Sequence, residues 1–212
     1  QTNRMIDQIK LLKKGLMQKL LTKGIGHAKF KKIKWYFQKE ISIPEKWDVK
    51  LLSELGELSA GATPSTKEKK FWENGTIPWL QSGEIDNNRI TSTEKKITKL
   101  GLQAISSRLF RKNTVVIAIT GFGDVRGKTS LLEIDTSANQ SVVGIVPNHT
   151  IDSEYLWYYL QYRYELLRNF AQGTQQPGLP MDILEKFYII YPKLKQEQRN
   201  IVLLLSMIDS RI

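Results

Sequence analysis

Val115-Val-Ile-Ala-Ile-Thr-Gly-Phe-Gly-Asp-Val-Arg-Gly-Lys-Thr-Ser-Leu-Leu-Glu-Ile134 is the stretch on which the fold turns. Val115–Thr120 opens it with a continuous apolar run that suits a buried strand. Gly121–Thr129 then ends in Gly-Lys-Thr and invites a phosphate-binding loop. Such a loop needs four residues between its first Gly and the Gly-Lys-Thr, so that successive amides can curl around a phosphate. Gly121 leaves five and Gly123 leaves three. Ser130–Ile134, which follows, reads as a strand where the motif requires a helix N-terminus. The stretch therefore reads as strand, Gly-rich hairpin and strand, with Arg126 and Lys128 on the hairpin.

Working outward, Ser141–Val146 reads as a further strand. Asp152 or Ser153 can cap a helix running to about Ala171, with Leu156, Leu160, Tyr164 and Leu167 on one face. Asp182–Ile190 mixes helix and strand signals, and Pro192 clears the way for a last helix. In that helix Ile201, Leu205, Ile208 and Ile212 are spaced 4, 3, 4. Near the other end Met5, Ile9, Leu12 and Leu16 repeat the same spacing in a helix over residues 5–21, which Gly24 or Gly26 would end. Gly15 inside it costs about 1 kcal/mol against Ala; it either permits close approach of a second helix or is simply tolerated. These seams are expected to bury against each other or against a partner helix. Lys29–Ser42 is basic and aromatic without a clear period and reads as a connector that packs on its neighbours. The whole is α+β. A helix spans 1–26 and a basic linker 27–43. A globular domain with a mixed β-sheet and helices spans 44–192, and a second helix starts at 193–212.

Composition limits the chemistry. The chain has 212 residues, 41% hydrophobic and 25% charged, which excludes a wholly disordered chain and allows one substantial domain plus extras. No run approaches the ~20 apolar residues of a membrane span, and no secretory signal is present. The absence of Cys removes disulfides, thiolate nucleophiles and thiolate metal sites, and fits a cytosolic protein. Two His, at 27 and 149, are too few for most histidine-based metal sites. The net charge is +11, and residues 1–39 hold 11 Lys and Arg against one acid, so the excess lies at the N-terminal end. A basic segment attracts phosphate backbones or anionic lipid; a solvated helix face is the bland alternative. Glu68-Lys69-Lys70 has the Glu-x-Lys order of many nuclease sites but no evident second acid to share a metal. No nucleophile elbow, triad setting or methyltransferase signature occurs. A metal-dependent nuclease or a P-loop-like NTPase is the rival reading, and a membrane-surface protein a more distant one.

Several stretches together resemble one family. They are Leu12–His27, Phe30-Lys-Lys, Ile43-Pro-Glu-Lys-Trp47, Gly61-Ala-Thr-Pro-Ser65 and Ile77–Ile85. Asn139-Gln140, Gly173-Thr-Gln-Gln176, Pro192, Glu197-Gln198 and Ile201 complete the set. In number and order they resemble the specificity subunits of type I restriction–modification systems, over essentially the whole chain. The resemblance implies a subunit without chemistry of its own, working in the cytoplasm of a bacterium or archaeon. Such subunits use two recognition domains, each reading half of a split site in double-stranded DNA, held apart by two long conserved helices packed as an antiparallel, coiled-coil-like pair. The helices dock modification (methyltransferase) subunits, which use S-adenosylmethionine; a restriction subunit, a translocase and nuclease, uses ATP and Mg²⁺. This chain carries one recognition domain. It is expected to be either a piece of a longer subunit or a half-subunit that forms a homodimer, and the non-Met start and uncapped end favour the former.

Within the domain, loop residues of phosphate-binding type are Thr63, Ser65, Thr66, Lys67, Lys69 and Lys70. Those of base-reading type are Gln81, Ser82, Arg89, Arg126, Lys128, Gln175 and Gln176, since Arg or Lys suits guanine and Gln suits adenine. No catalytic or metal-ligating residue is expected, and no cofactor is expected in this chain.

Overall fold

Helix α1 (Thr2–Lys23) stops where Gly24 takes φ +67°, a left-handed conformation that favours glycine. A Cβ there would also strike the Glu197 carboxylate and the Trp47 ring. The computed structural model describes residues 2–106, 109–121, 123–172 and 178–210. After α1 come β1 (Phe30–Lys34), β2 (Glu40–Pro44), β3 (Trp47–Leu51), the single turn α2 (Leu52–Leu55) and β4 (Gly56–Ala60). Next are β5 (Ile77–Leu80), β6 (Arg89–Ile90), β7 (Lys95–Ile97), α3 (Lys99–Gln103), β8 (Val115–Ala118), β9 (Thr129–Leu132), β10 (Ser137–Ala138) and β11 (Val142–Pro147). The chain then runs through α4 (Ser153–Tyr162), α5 (Tyr164–Gln172), α6 (Met181–Glu185), β12 (Tyr188–Pro192) and α7 (Lys195–Asp209).

The central sheet has the order β4-β11-β8-β9-β6, antiparallel except for the parallel pair β9–β6. A smaller sheet, β10-β5-β7, stands beside it, and β12 pairs antiparallel with β3. The architecture is α+β with mixed sheets. Side chains alternate across the central sheet with the period of two that strands impose. Val115, Ile117, Leu131, Val143 and Ile145 face the main core; Val116, Ala118, Leu132 and Val142 face a second cluster with Phe110 and Leu80. The main core is completed by α4, in which every residue from Tyr155 to Leu160 is buried. Asp152 starts that helix by accepting from the amides of Glu154 and Tyr155 at 3.0 and 3.3 Å.

Two expectations are corrected, and the mixed signals of Asp182–Ile190 are borne out. Residues 29–42 are not an irregular connector, because β1 and β2 form an antiparallel hairpin with Ile33 opposite Ile41. Lys31 sits in the inward row with Ile33 and donates to the Trp47 carbonyl at 2.7 Å, which disguises the alternation in the sequence. The single helix expected up to Ala171 is interrupted at Arg163, whose guanidinium lies 5.1 Å from the Trp35 ring and 4.7 Å from that of Tyr162. Asp182–Ile190 resolves into α6 followed by β12.

Helices α1 and α7 pack antiparallel. Lys13 meets Asp209 at 2.5 Å, and His27, just beyond α1, meets Glu197 at 2.6 Å near the start of α7. The buried face of α1 is Met17, Leu20 and Leu21, with Leu16 packed against the core. Ile201 and Leu205 of α7 are fully buried, whereas Ile9 and Ile208 are half-buried. Met5 and Leu12 are 62% and 57% exposed, so they are not buried against α7. Asp209 lies level with Lys13, so no described residue of α7 stands opposite the earlier turns of α1. Ile212 lies outside the described residues.

The two positions should consequently respond differently to the same change. Leu205→Asp buries an unpaired carboxylate and is expected to cost about 4 kcal/mol or more. Leu12→Asp is expected to stay within about 0.5 kcal/mol. Urea unfolding of both variants checks this; equal losses would mean that α1 is buried along its whole length.

Candidate nucleic-acid interface

A loop leaves β4 with Thr63, Ser65, Thr66 and Lys67 all exposed. Two indoles hold it from beneath. Trp72 Nε1 donates to the Ser65 carbonyl at 3.0 Å and Trp79 Nε1 to that of Ala62 at 3.1 Å, while the rings meet edge to face at 5.0 Å. The loop continues into a 3₁₀ turn at Lys69–Phe71. Thr98 fastens this turn by donating its hydroxyl to the Lys70 carbonyl at 2.8 Å, and the same oxygen accepts from Gly101 N to cap α3. This fastening brings Lys95, Lys96 and Lys99 to the loop. Thr66, Trp72, Lys95 and Lys96 line one shallow depression, and Lys67, Lys69, Lys70 and Lys99 are exposed around the same turn. The ion pairs Lys69–Glu73 (3.6 Å) and Lys70–Glu68 (3.2 Å) are exposed, so they hold the lysines weakly.

Lys95, Lys96 and Lys99 are absent from the residues singled out in the sequence. The available signal is β7 itself, an edge strand in which only Ile97 is buried and two adjacent lysines are exposed. Glu68 and Lys70 pair with each other, as neighbours in a charged turn do.

The Gly-rich hairpin joins β8 to β9, and β9 confirms a strand where a phosphate loop would need a helix. Helix α5 grips the hairpin. Tyr164 donates its hydroxyl to the Asp124 carbonyl at 2.5 Å, and Arg168 donates to the Gly123 carbonyl at 3.2 Å and to the Tyr164 oxygen at 2.6 Å. Gly127, at φ +89°, is buried beside both side chains. Arg126 is half-buried, and its Nε is buried with no hydrogen-bond acceptor.

Lys128 and Arg89 are both held in ion pairs. The Lys128 side chain is 15% exposed, and its ammonium is clamped by Asp86 at 2.7 Å and Asp124 at 2.9 Å. The bond from Asp86 holds it above the usual lysine range, and the ammonium in turn holds the Asp124 carboxyl below the usual carboxylate range. Lys128 therefore ties the turn before β6 to the hairpin, assisted by Asn87, whose Oδ1 accepts from Thr129 N at 3.2 Å. Arg89 spans Glu133 (3.1 Å) and Glu154 (2.9 Å) and lies 5.3 Å from the Trp157 ring, so both terminal nitrogens are engaged. Gln81 and Ser82 are half-buried at the start of a 3₁₀ turn that Glu84 caps. Gln175 and Gln176 lie outside the described residues. Two separate groups remain as candidates: the lysine-bordered loop at 63–70 with β7, and the hairpin carrying Arg126. Among the described residues no group of three or more acids and histidines could hold a metal, and no helix is long and apolar enough to cross a membrane.

Comparison with known proteins gives the family. A family model described as the type I restriction modification DNA specificity domain matches residues 44–212. The MjaIX type I restriction enzyme specificity subunit of Methanocaldococcus jannaschii is 33% identical over 175 residues, which are 80% of this chain and 39% of that relative. The EcoR124I/EcoR124II specificity subunit of Escherichia coli is 27% identical over 158 residues, 73% of this chain and 39% of that one. The chain thus spans about two fifths of the length of either relative. Among solved structures, the HsdS subunit from Thermoanaerobacter tengcongensis superposes with a TM-score of 0.67 at 17% identity, over 97% of this chain and 44% of that one, a likeness of fold. With the family model covering the central sheet, both candidate loop groups and α7, the chain belongs to the family of type I restriction modification DNA specificity domains.

Proposed function

We propose that this chain is a sequence-reading component of a type I restriction–modification complex. It recognises one half of a bipartite site in double-stranded DNA through the major groove. The observation that carries the reading is the family match over residues 44–212, which takes in every candidate contact residue. The lysines at 67, 69, 70, 95, 96 and 99 neutralise backbone phosphates and set the register. Arg126 reads a base, its unpartnered Nε belonging to a guanidinium that a guanine edge can engage. Lys128 keeps the hairpin and the Asp86 turn in one geometry. Helices α1 and α7 dock the modification subunits. The chain carries out no chemistry: S-adenosylmethionine, Mg²⁺ and ATP are used by the modification and restriction subunits, in the cytoplasm.

Selection from a random duplex pool, with the cognate modification subunit present, tests the reading directly. A short enriched motif is expected, and purely salt-sensitive bulk binding would overturn it.

Within the enriched motif, Arg126→Ala is expected to cost about 1–3 kcal/mol and to relax one base position. A uniform loss across sequences would instead make Arg126 a phosphate contact.

The Lys95→Gln/Lys96→Gln variant is expected to leave the motif intact. It should flatten the dependence of log K on log salt by about 1.8, two phosphate contacts at about 0.9 each. An unchanged salt titration would remove β7 from the interface.

A further inference from the structure

The positive excess of residues 1–39 is not used by either loop group, and part of it faces a cleft. Lys10 and Lys14, four residues apart and so on one face of α1, line one wall. The opposite wall carries Asn87 and Asn88, from the turn that Lys128 ties to the hairpin, and Gln161 from the end of α4. Lys13, between the two lysines, is neutralised by Asp209 at 2.5 Å. Lys10 and Lys14 are exposed and have no carboxylate partner among the described residues, although Glu165 also lines the cleft. Gln161 Nε2 is buried and has no acceptor. A buried donor left unpaired costs about 1–3 kcal/mol, so a ligand oxygen that met it would recover that cost. Asn87 spends its oxygen on Thr129 N, which leaves its amide nitrogen as the unused half.

Two ammonium groups and several amide donors, opposed by a single carboxylate, suit a ligand that is anionic and rich in acceptors. Asn87 adjoins Asp86, so the cleft begins one residue from the tied loops. A DNA strand leaving the hairpin would meet it next. We propose that the cleft between α1 and α4 holds a phosphodiester of the target DNA, flanking the bases that the Gly-rich hairpin reads. This rests on the reading of the chain as a DNA recogniser and adds to it a contact from α1.

The test is a salt titration of the full chain on a duplex of arbitrary sequence. Lys10→Gln/Lys14→Gln should flatten log K against log salt by about 1.8, and Lys14→Gln alone by about 0.9. Lys19→Gln removes the same charge from the other side of α1, where Lys19 borders Leu11 and Leu12, and should leave the slope unchanged. Gln161→Leu removes a neutral donor and should weaken binding about tenfold at constant slope, with thermal unfolding checking that the fold is kept. Equal losses for Lys14→Gln and Lys19→Gln would make the effect diffuse charge and overturn the site. Calorimetry with inorganic phosphate alone, and co-sedimentation with anionic phospholipid vesicles, should show no dependence on Lys10 and Lys14. Dependence there, with none on DNA, would overturn the phosphodiester assignment. An enriched motif together with an unchanged slope in the double variant defeats the cleft alone. A flattened slope with no enriched motif defeats the sequence reading and leaves a phosphate cleft.

Discussion

Glu197 and Gln198 open α7, and between them they satisfy polar groups on four other segments. Glu197 Oε1 accepts from Trp47 Nε1 at 3.0 Å and meets His27 Nε2 at 2.6 Å, which joins β3 and the end of α1 to α7. Gln198, fully buried, accepts from the Asp152 amide at 2.7 Å and donates to the carbonyls of Thr150 (3.1 Å) and Pro192 (2.8 Å). These bonds fix the cap of α4 and the end of β12 relative to α7. Three backbone groups would lose their partner if this one amide were removed, and the buried Pro192 carbonyl alone would cost about 1–3 kcal/mol. Together with the Lys13–Asp209 ion pair and the buried faces of both helices, this pair fixes how α1 and α7 cross the domain.

Environment decides what each basic residue does here. Lys95 and Lys96 stand exposed on an edge strand, where water solvates the ammonium groups. Lys128, of the same chemistry, is enclosed by two carboxylates and serves as a fastener. Arg89 has likewise become part of a structural network with Glu133 and Glu154. The positive charge left outside such pairings is therefore less than the composition suggests. The Gly-rich hairpin, by contrast, is held by α5 through Tyr164 and Arg168.

Much of the fold was legible in the residues themselves. Strands β8 and β11 are apolar runs between turn residues, and Asp152 or Ser153 announces α4 by its capping chemistry, a role that Asp152 takes. The wrong count of residues between Gly121 or Gly123 and Gly-Lys-Thr excludes a phosphate loop, and β9 stands where the exclusion puts a strand. The hairpin β1–β2 was illegible because Lys31 occupies an inward position and is satisfied by a carbonyl 16 residues away. The interruption at Arg163 was illegible because no Gly or Pro marks it in the sequence.

The candidate site divides along the same line. The residue types suited to phosphates and bases, their concentration in loops and the excess of charge near the N-terminal end are properties of the sequence alone, since they depend on composition and on neighbours along the chain. Which lysines are free was decided only by the tertiary structure. Asp86 lies 42 residues from Lys128, Glu154 65 from Arg89, and Thr98 28 from Lys70. An ion pair or hydrogen bond depends on distance in space to a fraction of an ångström, and a one-dimensional pattern carries no such distance. Periodicity can place a side chain on a face, but only the packed chain determines what stands opposite it.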